Sequence, residues 1–308
     1  MGPINGMNPN KVSYFSMEEY VNRIKLENSL LEHLDETSKE FDRYLKQLAS
    51  YGNYPMVQYW IDSLRKELNY SQEIENQQIF FLDEIEKKGV FFDTLQISHN
   101  RIKQLHQFVT KSEVPTDYRK GEVRVSRIKD NLEEDIFWYG VQPEDLKKFL
   151  DDFIKIYKSS SISLINSNPF LKSALIHLLF IRIHPFGDGN GRTGRMIHNI
   201  KFTESINKIY GMNLKICPLN LSHSILINKP TYARKIDDIY FDLEHDSNEE
   251  INKWFNFILN MIDEQIYYHS NRINTLDRTL KNLKRWENTD NSDIHKKIKQ
   301  MKVDKVTN

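Results

Sequence analysis

Between His184 and Arg195 the chain reads HPFGDGNGRTGR, a short run that holds most of the side-chain types phosphate chemistry needs. His184 carries an imidazole whose ordinary pKa of about 6.5 lets it take a proton from an attacking hydroxyl at neutral pH. Asp188 is a hard carboxylate of the kind that holds magnesium against phosphates. Gly187, Gly189 and Gly191 free the backbone to turn tightly and leave no side chain between its amides and a ligand. Amides at the start of a helix, where the dipole is positive, suit a diphosphate. Arg192 and Arg195 lie three apart, so both project from one face of that first turn and can reach phosphate oxygens. Each feature alone has a plainer reading: a helix terminus for His-Pro, a turn for Asp-Gly or Asn-Gly, a solvated surface for the arginines. Their coincidence in one loop points to an active site that handles nucleotide phosphates. His184 and Asp188 are also four apart, the spacing of a helical zinc pair, but Pro185 and Gly187 oppose the helix that would align them.

The elements around this loop are helical. Leu171, Leu175, Leu178, Leu179 and Ile183, with Ala174, Ile176 and Phe180, make the preceding segment apolar on nearly all sides, so it belongs in the middle of a core. Asn168 and Pro169 start it, and His184-Pro185 must stop it, because proline disfavours helical backbone in the residue before it. Periodicity resumes after Gly191 with Met196, Ile197, Ile200, Ile206 and Ile209 and closes at Gly211. Upstream, Ser16 with Glu19 reads as a capping box opening a long helix or a helical pair through Leu48 to a break at Tyr51-Gly52-Asn53. Val57 to Leu68 runs toward Ser71–Asn76, and Leu95 to Val109 carries another helical pattern. Between Gly121 and Gly140 the period changes to alternation, and Ile136-Phe137-Trp138-Tyr139 is β-prone, which predicts a hairpin. Pro143 suits the first turn of a helix reaching Tyr157, followed by the loop SSSISLINSN. Residues 219–240 and 251–266 are helical again, and 281–308 read as polar, Lys-rich and loosely ordered.

Composition limits the function classes. With 308 residues, 39% hydrophobic and 12% aromatic, the chain can build a substantial core. Lys plus Arg and Asp plus Glu both number 43, so no global field draws it to nucleic acid or to an anionic membrane. One cysteine, Cys217, excludes an intramolecular disulfide and makes a reducing cytoplasm the expected location. The most apolar stretch falls short of the roughly 20 residues of a membrane span, so no membrane partner is expected.

The loop resembles the signature of Fic-domain proteins, His-x-Phe-x-(Asp or Glu)-Gly-Asn-Gly-Arg-x-x-Arg, met at every specified position by His184, Phe186, Asp188, Gly189, Asn190, Gly191, Arg192 and Arg195. The resemblance extends from about Ser71 to Ile266 and includes Gly121-Glu122-Val123-Arg124, a hairpin similar to the family's target-docking flap, and the stretch Lys229 to Tyr232. It implies a mostly α fold, a helical core with a small β-hairpin flap over the active site. It also implies transfer of AMP from ATP to a Tyr, Ser or Thr hydroxyl of a target protein docked on the 122–140 hairpin. On this resemblance His184 is the base that deprotonates the hydroxyl. Asp188 holds Mg²⁺ or Mn²⁺. Gly189, Asn190 and Gly191 form the anion hole, Arg192 and Arg195 clamp the β- and γ-phosphates, and Thr193 and Gly194 complete the nucleotide site. Phe186 points into the core. Kinase-like relatives carry a lysine at the position of Gly191, and its absence here favours nucleotidyl transfer.

Ser71-Gln72-Glu73-Ile74-Glu75-Asn76 resembles the family's inhibitory helix, Ser/Thr-x-x-x-Glu-Gly/Asn, in the subgroup that carries it before the core. The physical reading is that Glu75 pairs with Arg195 and keeps ATP from seating its γ-phosphate. Tyr232 resembles the first of a tyrosine pair near the base, although Ala233 replaces the second and Tyr240 stands where some members have asparagine. Ile128 to Asn131 would line the nucleotide side of the hairpin, which carries the acidic run Glu133-Glu134-Asp135. The implied organisation is a disordered leader or expression scar over 1–15, an N-terminal helical region over 16–110, a catalytic core over 111–270 and a basic tail over 271–308. Two alternatives remain open beside transfer: removal of AMP, with Glu75 orienting a water, and a nucleotide-sensing regulator whose tail lysines from Lys296 to Lys305 contact DNA. The near-zero net charge and the lack of a recognition helix argue against the latter. Self-association is left open.

Overall fold

The computed structural model describes residues 16–50, 53–77, 97–128, 134–159, 163–214, 216–245 and 247–288, without the side chains of 53–62, 124–128, 134–139, 240–241, 243–244, 276–277 and 279–288. Ser16 Oγ accepts the Glu19 N–H at 3.2 Å and starts α1 (Met17–Arg23), which stops before α2 (Asn28–Ala49), so the first pattern resolves as a helical pair. On α2, Leu30, Leu34, Phe41, Leu45 and Leu48 form the buried stripe. α3 (Asn53–Ile74) follows, and α4 (His99–Thr110) is capped by Ser98. Tyr51, Gly52 and Leu95 lie outside the described residues.

β1 (Arg124–Ile128) and β2 (Glu134–Tyr139) pair antiparallel, with Arg124 opposite Tyr139 and Ile128 opposite Glu134. A register shift between Val125 and Ser126 marks a bulge. α5 (Leu146–Lys158) begins after Pro143 rather than on it, because residues 143–145 form a separate turn in which the Asp145 N–H reaches Gln142 O. The segment read as a loop holds a single helical turn, α6 (Leu164–Ser167), where the Ser163 hydroxyl caps Asn166. α7 (Pro169–Ile183) starts where Asn168 Oδ1 accepts the N–H groups of Phe170 and Leu171, at 2.9 and 3.1 Å. α8 (Asn190–Tyr210) begins one residue before Gly191, not after it, and ends on Gly211 in left-handed backbone.

α9 (Leu221–Ile227), α10 (Lys229–His245) and α11 (Glu249–Asn288) complete the described chain. α11 corrects the reading of a loose tail from 281: no Gly or Pro occurs between Glu249 and Asn288, so nothing in the backbone ends the helix earlier. Residues 289–308, which hold the tail lysines, lie outside the described residues, as does the leader. Two compact units divide the chain, Met1–Ile266 and Tyr267–Asn308. Among the described residues no helix is long and apolar enough to cross a membrane.

The core of the first unit is the α7–α8 pair. Every residue of α7 except Arg182 is buried, as an all-round apolar pattern requires. Phe41 of α2 packs edge-on against Phe170 of α7 and Phe202 of α8, at 5.3 and 5.6 Å. Trp254 of α11 donates its indole N–H to Ala174 O at 3.1 Å from a fully buried position. The same core encloses two imidazoles, His177 and His198, and burial, the dominant cause, pushes their pKa values down to about 3 and about 4.

These two groups make folding sensitive to acid. Both are neutral in the native state and charged in the unfolded chain between about pH 6.5 and pH 4, so their contribution is complete above 6.5 and is lost as pH falls. His33, which gains Asn256 and Asp263 as partners and has a raised pKa, acts in the opposite sense. The unfolding free energy from denaturant titrations between pH 7 and pH 4.5 should fall, by up to about 3 kcal/mol per pH unit where both buried groups titrate. His198→Phe, whose ring stacks as His198 does on Phe202, should reduce the proton uptake of unfolding by about one. An unchanged uptake would remove His198 from this account.

Candidate active site

His184 follows the last residue of α7 and caps it in left-handed backbone, φ 52° and ψ 60°. Pro185 excludes the ordinary helical basin there, and the left-handed one costs a non-glycine residue about 1 kcal/mol or more. Neighbouring groups hold it in place: the His184 N–H bonds to Phe180 O at 3.1 Å, and Arg119 Nε donates to His184 O at 2.7 Å. The ring is fixed as well. Nδ1 faces Ile181 O at 3.2 Å, an acceptor only, so Nδ1 carries the hydrogen and Nε2 the lone pair. Burial, with Arg119 and Arg182 adding to it, lowers the imidazole pKa to about 4 against the smaller raising effects of Ile181 O and Glu75. The imidazole is therefore neutral at pH 7 and ready to accept a proton at Nε2.

Three side chains fold the loop from His184 to α8. Phe186 is buried and stacks on His106 with ring centroids 3.7 Å apart. His106 Nε2 reaches Asp188 O at 2.8 Å. Asn190 is buried and holds Phe186 at both backbone groups, accepting its N–H at 2.9 Å and donating to its carbonyl at 2.8 Å. The side chain of Asn190 thus closes the loop, and what it can offer an anion is its backbone N–H. The glycines also divide in role. Gly189 has φ 76° and no room for a Cβ beside Thr110 and His106, whereas Gly187 lies in open space. Gly191 is helical, and a Cβ there would collide with Glu75 Oε1 and crowd Arg195 Nη1.

The first intrahelical bond of α8 runs from the Thr193 N–H to Gly189 O at 3.0 Å, which leaves the N–H groups of Asn190, Gly191 and Arg192 as the helix's orphan donors. Thr193 and Gly194 do not serve this donor face through their side chains. The Thr193 hydroxyl is buried on Gly189 O at 2.8 Å, and Gly194 lets α8 approach Ile181 and His177 of α7. Asp188 stands beside the face with 83% of its side chain exposed and pairs with Arg192 Nη2 at 3.0 Å.

Both arginines are buried, not solvated, and both turn toward the end of α3. Arg192 approaches Gln72 Oε1 and Val109 O, at 3.4 and 3.5 Å, besides Asp188. Arg195 donates from Nε to Ser71 Oγ and from Nη2 to both Ser71 O and Glu75 Oε1, each at 2.9 Å. Its Nη1 is buried, and the guanidinium also interacts with the Tyr232 hydroxyl. Asn76, just past Glu75, has φ 53°, a conformation that asparagine tolerates better than most residues. The end of α3 is anchored by Gln72 Nε2 on Val109 O at 2.6 Å and by Lys229 Nζ on Ile74 O. Deeper, the buried Glu67 carboxylate accepts from Asn199 Nδ2 at 2.9 Å and from the Ser222 N–H and hydroxyl, which oppose the rise in pKa that burial causes.

Ser71, Glu75, His184, Asp188, Gly191 and Arg195 are thus grouped around one end of α8. Tyr232 is buried beside them: its ring lies 6.0 Å from Trp254, its hydroxyl meets His177 Nε2 at 2.6 Å, and Arg195 opposes the rise in its pKa that burial causes. Ile128 ends β1, its side chain is outside the described ones, and so is that of Tyr240, while residues 129–133 are not described. Sequence reasoning missed Gln72, His106, Arg119 and Glu67. Nothing in the local pattern marks them, since each acts through a partner at least 37 residues away.

Residues 96–200 match the Fic/DOC family. Among solved structures, the chain is similar to a Fic family protein from Desulfovibrio desulfuricans, with a TM-score of 0.58, 14% identity, and coverage of 81% of this chain and 76% of that one. It is also similar to Fic-1 from C. elegans, with 0.53, 15%, 80% and 73%, and to a Fic domain containing signaling protein from Bacteroides thetaiotaomicron, with 0.50, 16%, 78% and 97%. At these identities the likeness is one of fold. The helical chain described here has the Fic fold, and its segment 96–200 matches the Fic/DOC family model.

Proposed function

We propose that the protein transfers AMP from ATP to a Tyr, Ser or Thr hydroxyl of a protein, and that Glu75 holds it inactive. One observation carries this reading: the Glu75 carboxylate, an anion, lies against Gly191 and Arg195 at the N-terminal turn of α8, where orphan amides and a guanidinium would receive a phosphate. In the reaction the target hydroxyl oxygen attacks the α-phosphorus of ATP. The bond to the bridging oxygen breaks, pyrophosphate leaves, and the hydroxyl proton passes to His184 Nε2. The exposed carboxylate of Asp188 fits a magnesium or manganese ion, which takes one or two carboxylates and completes its shell with phosphates and water. Such an ion supplies charge neutralisation for the leaving pyrophosphate. The β1–β2 pair, whose ends lie beside His184, would serve as the flap on which the target docks.

Removal of AMP remains the second reading, favoured by the 35% exposure that the Glu75 side chain keeps, which leaves it able to orient a water. Wild-type protein given self-modified Glu75→Gly chain and magnesium, without ATP, separates the two: release of AMP supports removal, and persistence of the label excludes it.

Transfer is tested by mass spectrometry after incubation with ATP. Glu75→Gly should raise self-modification, since a half-exposed carboxylate on a buried guanidinium is worth about 2 kcal/mol, or about 30-fold. Arg195→Ala in that background should return it to the low level. An unchanged rate in Glu75→Gly would reduce Glu75 to an ordinary surface carboxylate. His184→Ala should abolish transfer while ATP affinity persists, because the imidazole acts on the hydroxyl proton. With its imidazole at about 4, the activity of Glu75→Gly should stay level as pH falls from about 7 to about 5, where an unperturbed histidine would already have lost most of it. Asp188→Ala should impose a loss that neither magnesium nor manganese restores.

A further inference from the structure

Arg119 makes an unusual set of contacts for a side chain outside every helix and strand. Its guanidinium donates to carbonyls at both ends of the β1–β2 pair, Gly121 O at 2.8 Å before it and Val141 O after it. The same group donates to the carbonyls that end α7, His184 O at 2.7 Å and Ile183 O at 3.4 Å. Its backbone N–H adds a bond to Pro185 O at 3.0 Å, and the Val141 N–H reaches Ile183 O at 3.4 Å. A cation is well placed here, because the last carbonyls of a helix are both unsatisfied and at the negative end of its dipole. The approach is close: a Cβ on Gly140 would strike Val123 and the Arg119 guanidinium and crowd His184 Cβ.

We propose that Arg119 is a positioning residue that ties the base of the β1–β2 pair to the backbone of His184 and so sets the distance between a docked hydroxyl and the imidazole. This rests on the reading of His184 as base and of the strand pair as docking element. Two features make the tie effective. His184 occupies a backbone basin it would not choose alone, so a bond to its own carbonyl helps to fix where the ring emerges. The strand pair leaves and re-enters the chain at 121 and 141, and one planar group spans both ends and the end of α7 at once. Lysine cannot replace it, since an ammonium is a point donor and the guanidinium is a rigid fork with five N–H groups.

The test is Arg119→Lys in the Glu75→Gly background, with ATP and the chain itself as acceptor. Turnover should fall by about 10- to 100-fold, the scale of a misplacement near 1 Å, while ATP affinity measured by calorimetry stays within about twofold. The split is diagnostic, because a purely structural loss would lower both. Unchanged turnover, or turnover and affinity falling together, would overturn the assignment. If Glu75→Gly transfers nothing from ATP, the functional reading fails, and the tie is then judged without activity. NMR of Arg119→Lys in the otherwise unaltered chain should shift the His184 ring and Gly140 amide resonances together and speed exchange of the Gly140 amide, which bonds to Val123 O at 3.0 Å. Resonances that stay in place, or a global loss of dispersion, would count against it.

Discussion

The constraint on which the site depends is the Arg195 guanidinium, with 3% of its side chain exposed, in the second turn of α8. A buried cation must be given acceptors, and α8 itself cannot supply them, because its own N-terminal groups are donors. The last turn of α3 does so through Ser71 and Glu75. Several other features follow from that need. α3 must end at the correct height, which Gln72 on Val109, Lys229 on Ile74 and Glu67 on Asn199 and Ser222 secure. A Cβ on Gly191 would collide with Glu75 Oε1, so the carboxylate keeps its present place only beside a glycine. The residue after Glu75 must accept left-handed backbone, as Asn76 does, for the chain to turn away from the site.

The opposite end of the same loop meets a different demand. α7 is buried on all sides, so its terminal carbonyls have little access to water, and the chain must still turn to start α8 in the reverse direction. Arg119 meets the carbonyls, Pro185 sets the break, and Asn190 folds the intervening residues by bonding both backbone groups of Phe186. A consequence is that His184 is half-buried within reach of the charges of Arg119 and Arg182. Its imidazole loses basicity there, with a pKa near 4, and is uncharged throughout the neutral range. On the proposed reading a neutral proton acceptor is gained at the expense of driving force, which a preorganised anion site beside it would offset.

Much of this was legible in the chain. The stop at His184-Pro185, the buried helix before it, the helix after it, the shared face of Arg192 and Arg195 and the pairing of Glu75 with Arg195 follow from local pattern or from a motif whose spacing encodes geometry. What was misjudged has common causes. Gly191 and Asn190 looked like loop residues because glycine and asparagine favour turns, yet α8 takes them in, since an N-terminal turn tolerates both. Residues 281–288 looked loose because they are polar, but a helix without a breaker continues.

The sequence by itself determined which groups could do chemistry and where helices start and stop, because capping, proline and periodicity act over a few residues. Only the tertiary structure decided what those groups face. That Tyr232 bonds to His177, that Arg192 is buried beside Gln72, and that Arg119 bonds to the carbonyl of His184 depend on segments 55, 120 and 65 residues away. Local propensity carries no information over such separations. Burial carries it instead, since a polar group taken from water must find its partner wherever the fold brings one.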